Sequence, residues 1–169
     1  MAMLTLATAT PDDAATVAML MTALNETLGP SGIRTTTPED VTVTPDQARR
    51  RIEAMSASEE VIVALVDDAP AGLLSLRIVP CLSQDVPYAE VTELMVLGAH
   101  RRHGVASLLM AQAEFLARQR GCTAVQVRTW HDNEGAQAFY RAAGFEPLEV
   151  GFVKYTAPKS SSRRRRAEG

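Results

Sequence analysis

Residues 91–120 leave this chain few folds to choose from. They open with Val91-Thr92-Glu93-Leu94-Met95-Val96, a mostly apolar, β-rich run that reads as a strand. The chain then passes through Leu97-Gly98-Ala99-His100 into Arg101-Arg102-His103-Gly104-Val105-Ala106. Beyond that, Val105, Leu108, Leu109, Phe115 and Leu116 recur at roughly helical spacing, and Gly121 stands where a C-cap would close the helix. A strand therefore feeds a basic, glycine-bearing turn at a helix start.

Such a turn suits an anion. The first N–H groups of a helix lack carbonyl partners within it, and the aligned peptide dipoles leave about half a positive charge at that end, which stabilises a phosphate there. Arg101 and Arg102 add two formal charges. Gly104 lets the backbone approach a ligand without a Cβ in the way, and Ala106 keeps the next inward position small.

The remaining elements follow from periodicity and caps. Leu4-Thr5-Leu6-Ala7-Thr8 alternates as a strand, and Thr10-Pro11-Asp12-Asp13 supplies an N-cap, an N1 proline and first-turn acids for a helix running to about Leu28. Gly29-Pro30-Ser31-Gly32 breaks it, and residues 33–44 read as a polar loop. Thr44 and Gln47 form a capping box for a second helix, with Ala48, Ile52 and Met55 on one face and an end near Ala57. Residues 60–66 are a buried strand, Asp67-Asp68-Ala69-Pro70 a turn and residues 71–79 the returning strand, with a loop over 80–87. Residues 124–129 alternate as a strand with one face buried. Residues 133–143 form a short helix with Ala136, Phe139, Tyr140 and Ala143 on one face, Gly144 caps it, and residues 147–155 form a last strand. This order predicts an α/β layer fold, a mixed α+β arrangement in which helices cover a central twisted mixed sheet.

At 169 residues the chain suits one domain, taken as 1–157, followed by a basic tail over 158–169 that is disordered by composition. The overall charge of −3 hides an asymmetry: Arg163, Arg164, Arg165 and Arg166 sit in the tail, so the body is more acidic than the total. An acidic body favours cationic acceptors and disfavours general nucleic-acid binding. Cys81 and Cys122 are isolated thiols, and His100, His103 and His131 have no metal-ligand spacing, so neither a disulfide framework nor a metal site is expected. No apolar run reaches the roughly 18 residues of a membrane span, and the start lacks a signal peptide's pattern, so a soluble cytoplasmic protein is expected.

Arg101-Arg102-His103-Gly104-Val105-Ala106 resembles the pyrophosphate loop of the GNAT superfamily, the acyl-CoA-dependent N-acyltransferases, whose pattern is Gln/Arg-x-x-Gly-x-Gly/Ala. Asn133-Glu134-Gly135-Ala136-Gln137-Ala138-Phe139-Tyr140-Arg141-Ala142-Ala143-Gly144-Phe145 is similar to that family's second motif, an Asn followed by a helix ending Phe-Tyr-x-x-x-Gly-Phe. The element order over residues 4–155 matches as well. The resemblance implies a GNAT-like fold and acetyl-CoA as cosubstrate, with no metal. It also implies a small-molecule or peptide amine as acceptor, and it leaves a homodimer open; neither nucleic acid nor membrane is required.

Amide formation needs a grip on coenzyme A, a polarised thioester carbonyl, a deprotonated amine and a proton for the departing thiolate. The resemblance places the pyrophosphate on Arg101, Arg102, His103, Gly104, Val105 and Ala106, and the pantetheine arm on backbone groups of Met95 and Val96, where the central strand splays from its neighbour. It gives Asn133 a hydrogen bond to the pantetheine amide, although a plain helix N-cap explains that residue equally well. Tyr140 is the expected general acid, because a phenol with an unperturbed pKa of about 10 is protonated at neutral pH and close to an alkyl thiol. Glu93 interrupts an apolar strand, and by resemblance takes the amine proton through water; Glu90 is the competitor. His131 is a cleft residue or a surface-turn histidine, His103 a phosphate donor or solvated, and Trp130 a core plug or a channel wall. Glu39, Asp40, Glu59 and Asp85 are candidate anionic contacts for the acceptor.

Two functions fit: an acetyl-CoA-dependent N-acetyltransferase working by direct attack in a ternary complex, and a non-catalytic acyl-CoA-binding module whose tail contacts a partner. The presence of both Glu93 and Tyr140 favours the enzyme, because a binder has no use for an acid and a base.

Overall fold

A computed structural model describes residues 2–28 and 41–148. Strand β1 (Leu4–Thr8) ends at a capping box in which the Asp13 carboxylate accepts the Thr10 N–H at 2.8 Å. A 3-10 turn over Pro11–Asp13 then runs into helix α1 (Ala14–Leu28). Helix α2 (Pro45–Met55) opens with the expected box, Thr44 Oγ1 accepting from the Gln47 N–H at 3.2 Å and Gln47 Oε1 from the Thr44 N–H at 2.9 Å. It stops two residues before the expected Ala57. The stretch read as a polar loop needs correcting at Val43: it is buried in the core and its N–H donates to Thr22 Oγ1 at 2.9 Å. The rest of that stretch, to residue 40, lies outside the described residues.

Strands β2 (Glu59–Val66) and β3 (Ala69–Val79) form a hairpin tighter than the sequence suggested. Only Asp67 and Asp68 turn, both with positive φ (49° and 63°), as a two-residue primed turn requires. Ala69 and Pro70 already belong to β3, and Pro70 sits beside a register shift between Ala64 and Leu65, where a strand tolerates its missing N–H. Strand β4 (Tyr88–Val96) follows, then helix α3 (Val105–Gln119), strand β5 (Val125–Val127) and helix α4 (Glu134–Ala142). The sheet order is β1-β2-β3-β4-β5, antiparallel except for the parallel pair β4–β5.

Each face of the sheet carries a core. On one, Val61, Val63, Leu73 and Met95 pack against Val17, Leu20 and Leu24 of α1 and Ala48 and Ile52 of α2. On the other, Ile62, Leu74, Leu76, Ala89 and Val91 pack against Val105, Leu109, Ala113 and Ala117 of α3. Those α3 residues repeat every four positions, and the alanines let the helix lie close to the sheet. Leu108 and Phe115, expected on the buried stripe, are exposed at 36% and 50%, because the true stripe runs through the small residues instead.

The chain's end differs from expectation too. β5 spans three residues rather than six, and Pro147 and Leu148 belong to no strand; residues 149–155 and the tail lie outside the described residues. In α4, Ala136, Phe139 and Tyr140 are half-buried but Ala143 is exposed. Gly121 and Gly144 take positive φ (71° and 87°) after α3 and α4, as caps.

Candidate active site

Strand β4 changes character halfway along. Its first half is paired on both sides, with Ala89, Glu90 and Val91 opposite Val125, Gln126 and Val127 of β5. Pairing with β5 then stops, while pairing with β3 continues to Val96. At the same place the β3–β4 register slips: Leu76 faces Val91 and Ser75 faces Glu93, so Thr92 is the extra residue of a bulge.

The open edge can be assigned residue by residue. The Leu97 N–H donates to Ala71 O at 2.9 Å, so Leu97 turns its backbone toward β3. Alternation turns Met95 the same way, and its carbonyl indeed lies against Gly72, where an added Cβ would meet that oxygen at 2.7 Å. Leu94 and Val96 consequently direct their N–H and C=O groups to the side that β5 has left. Met95, named from sequence as a backbone contact, has its backbone committed to β3 and its side chain buried. Leu94, two residues before Val96, presents its backbone to the same edge as Val96.

The loop after β4 is strained in a useful way. Leu97 leads into a 3-10 turn, Gly98–His100, and then Arg102 (φ 62°) and Gly104 (φ 83°) both take left-handed conformations. Alternating handedness brings successive N–H groups to one side, an anion-binding geometry. Gly104 is the N-cap of α3, no side chain caps that helix, and a Cβ on Gly104 would meet nothing within 4 Å. The amides of Val105, Ala106 and Ser107 thus open the helix toward this loop. Arg102, His103 and Gly104 are exposed. Arg101 is exposed as well, and it is tied back, Nε donating to Val96 O at 3.2 Å, which braces the loop against the end of β4.

The segment after β5 reaches the same end of the sheet, since β4 and β5 run parallel. Trp130 is half-buried and His131 exposed; their carbonyls accept from Gln137 Nε2 at 3.3 and 2.9 Å, so α4 holds this turn by its backbone. Asn133 is the N-cap of α4, accepting from the Ala136 N–H at 3.1 Å. Tyr140 lies in an aromatic group, with edge contacts to Phe139 at 5.4 Å and Phe145 at 5.8 Å between ring centroids. Burial pushes its phenol pKa up. Phe139 and Phe145 pack on the α3-side core.

Glu93 is on the other face. It stands opposite Ser75 and shares a side with Leu73 and Met95 of the α1–α2 core. The named acid and base therefore sit on opposite faces of the sheet, with the β4–β5 gap between those faces. Glu90 is buried at 5% exposure and paired with Arg77 and with Arg128 (3.4 Å); that bond to Glu90, above all, holds the Arg77 guanidinium above its usual pKa. Cys81 and Cys122 are half-buried free thiols, and among the described residues no group of His, Cys, Asp and Glu could hold a metal ion. No described helix is long and apolar enough to cross a membrane.

Comparison with known proteins agrees with this geometry. The Acetyltransferase (GNAT) family profile matches residues 26–145. An aminoglycoside N(6')-acetyltransferase type 1 of Acinetobacter haemolyticus is 40% identical over 63 residues, which is 37% of this chain and 43% of that relative. A solved structure from Agrobacterium tumefaciens str. C58 is 28% identical with a TM-score of 0.72, over 90% of this chain and 99% of that one. The same fold recurs, at 17% identity and a TM-score of 0.74, in two further structures. One is an aminoglycoside acetyltransferase from an uncultured soil metagenomic sample in complex with sisomicin, over 92% of this chain and 97% of that one. The other is a ribosomal-protein-alanine N-acetyltransferase of Brucella melitensis biovar Abortus 2308, over 90% of this chain and 99% of that one. A strand that parts from its parallel neighbour above a glycine-capped helix, and a family match across most of the length, lead to one conclusion: the chain belongs to the GNAT acetyltransferase family.

Proposed function

We propose that the protein transfers an acetyl group from acetyl-CoA to a primary amine of a small molecule or peptide, by direct attack in a ternary complex. The observation that carries this reading is the gap in the sheet beyond Val91 and Val127, with a candidate base on one face and a candidate acid on the other. Bound acetyl-CoA supplies an activated thioester. The left-handed loop at Arg102 and Gly104, with the first amides of α3 and the arginines beside it, holds the pyrophosphate. The backbone edges of Leu94 and Val96 take the pantetheine arm and polarise the carbonyl, and Asn133, whose Oδ1 caps α4, turns its amide nitrogen to the same arm.

Glu93 accepts the amine proton through a water molecule, and Tyr140 holds a proton at its phenol oxygen for the departing thiolate. The raised phenol pKa keeps that proton in place at neutral pH. Neither cysteine is needed as a nucleophile. The acceptor is cationic: the Glu93 carboxylate stands on the face of the sheet where the amine would sit, and relatives of this fold include aminoglycoside acetyltransferases. The protein acts in the cytoplasm.

A coupled thiol-release assay, run with acetyl-CoA and a panel of aminoglycosides, polyamines and amino-terminal peptides, tests the proposal. Amine-dependent thiol release is expected. Tight acetyl-CoA binding with no release for any amine would instead identify an acyl-CoA-binding module.

A further inference from the structure

The bulge at Thr92 decides which way Glu93 faces. Before it, Ala89 and Val91 point into the α3-side core; after it, Leu94 and Val96 do. An uninterrupted strand would alternate Ala89, Val91, Glu93, Met95 on that side and push the Glu93 carboxylate against buried Leu74. One extra residue reverses the parity and delivers Glu93 to the α1–α2 face, opposite Ser75.

The extra residue is held from two strands away. The Thr92 hydroxyl donates to Glu59 Oε1 on β2, and the same oxygen accepts the hydroxyl of buried Ser75 on β3 at 2.6 Å. Thr92 Oγ1 also lies 3.4 Å from Ser75 O, the backbone at which the register slips. Glu59 is thus a clamp reaching across β3 to the bulge. Its charged neighbours on this face are Arg77 of β3, Glu90 and Glu93 of β4, and Arg128 after β5.

We propose that Thr92, clamped by Glu59 and Ser75, is a positioning residue that turns Glu93 toward the reacting amine. The inference rests on the reading of Glu93 as the base. Thr92→Val keeps the shape and β preference of the side chain but removes the hydroxyl; Thr92→Ser keeps the hydroxyl. Misplacing a catalytic group by about an ångström costs roughly 10- to 100-fold in rate, so Thr92→Val is expected to lose that much turnover at low pH. The loss should shrink as pH rises and the amine deprotonates by itself, as for Glu93→Gln. The acetyl-CoA KM should stay near wild type, Thr92→Ser should restore most of the rate, and Thr92→Val should add nothing in a Glu93→Gln background. If Thr92→Val does not fold, Glu59→Ala breaks the same clamp from β2 and is held to the same expectations.

A Thr92→Val loss that is constant across pH, adds to that of Glu93→Gln, or is not rescued by serine overturns the clamp while leaving the base assignment standing. A wild-type pH profile for Glu93→Gln in an active enzyme overturns the base assignment, and the inference with it.

Discussion

Each half of β4 carries one glutamate among mostly apolar residues, yet the two halves pair differently. From Tyr88 to Val91 the strand is closed, paired with β3 and β5, and its buried Ala89 and Val91 stitch the sheet to α3. From Thr92 to Val96 its other edge has no strand partner among the described residues, and there the Val96 carbonyl accepts from Arg101 Nε. Backbone groups without a strand partner in the middle of a sheet must be satisfied by water, by side chains or by a ligand. On the proposed reading, the pantetheine arm occupies that edge beside the helix N-terminus. Substitutions around the open half should therefore cost rate or affinity, and those on its closed side should cost stability.

The largest expected effect tests the open side. Tyr140→Phe keeps the ring among Phe139 and Phe145 but removes the proton, so single-turnover acetyl transfer should slow by about 10²- to 10⁴-fold. Stability at neutral pH should barely change. Because burial raises the folded phenol above its ordinary value of 10.0, no ionisation cost falls on the fold below that pH, and stability declines as pH rises from there through the folded value. Tyr140→Phe should flatten that alkaline decline in thermal unfolding. A wild-type single-turnover rate would falsify the acid assignment.

Gly72→Ala probes the closed edge of the same residues. The new Cβ meets Met95 O at 2.7 Å and crowds Val105 Cγ1 and Leu109 Cδ1 at 3.3 and 3.4 Å. Overpacking of this kind costs about 1–3 kcal/mol, and each kcal/mol lowers the melting temperature of a chain this size by about 2–4 °C. An unchanged melting temperature would mean that β3 and β4 separate freely, and the contrast between the two edges would collapse.

Gly104→Val should have the smallest energetic effect and the clearest location. Left-handed backbone costs a residue with a Cβ about 1–2 kcal/mol, and here an added Cβ meets nothing within 4 Å. The variant should fold, with acetyl-CoA affinity reduced about tenfold as the loop gives up its turn, an expectation based on the same strain. Titration calorimetry showing wild-type affinity in the folded variant would remove the pyrophosphate from this end of α3.

Much of this could be read in advance. The N-cap at Thr10, the capping box at Thr44, the left-handed caps at Gly121 and Gly144, the strand–turn–helix around Gly104 and the α/β class depend on neighbours within a few positions, and local chemistry sufficed. The stripe of α3 was misread at Leu108 and Phe115 because a helix face is chosen by what it packs on, and here close packing selected Ala113 and Ala117 over larger residues. That the Met95 backbone faces β3 while that of Leu94 faces the other edge was not legible, because the direction of a peptide group depends on a partner strand some twenty residues away.

The sequence by itself determined which segments turn, cap and alternate, and put a glycine and two arginines where a strand meets a helix, since those outcomes follow from side-chain shape and from hydrogen bonds within a single turn. Only the tertiary structure decided that β5 leaves β4 after Val91, that Thr92 bulges under the grip of Glu59, and that Glu93 and Tyr140 face opposite sides of the gap. The physical reason is that register and strand direction are properties of a pair, not of a chain segment: slipping by one residue reverses every side chain beyond the slip, and what prevents or enforces the slip is a hydrogen bond from elsewhere in the fold.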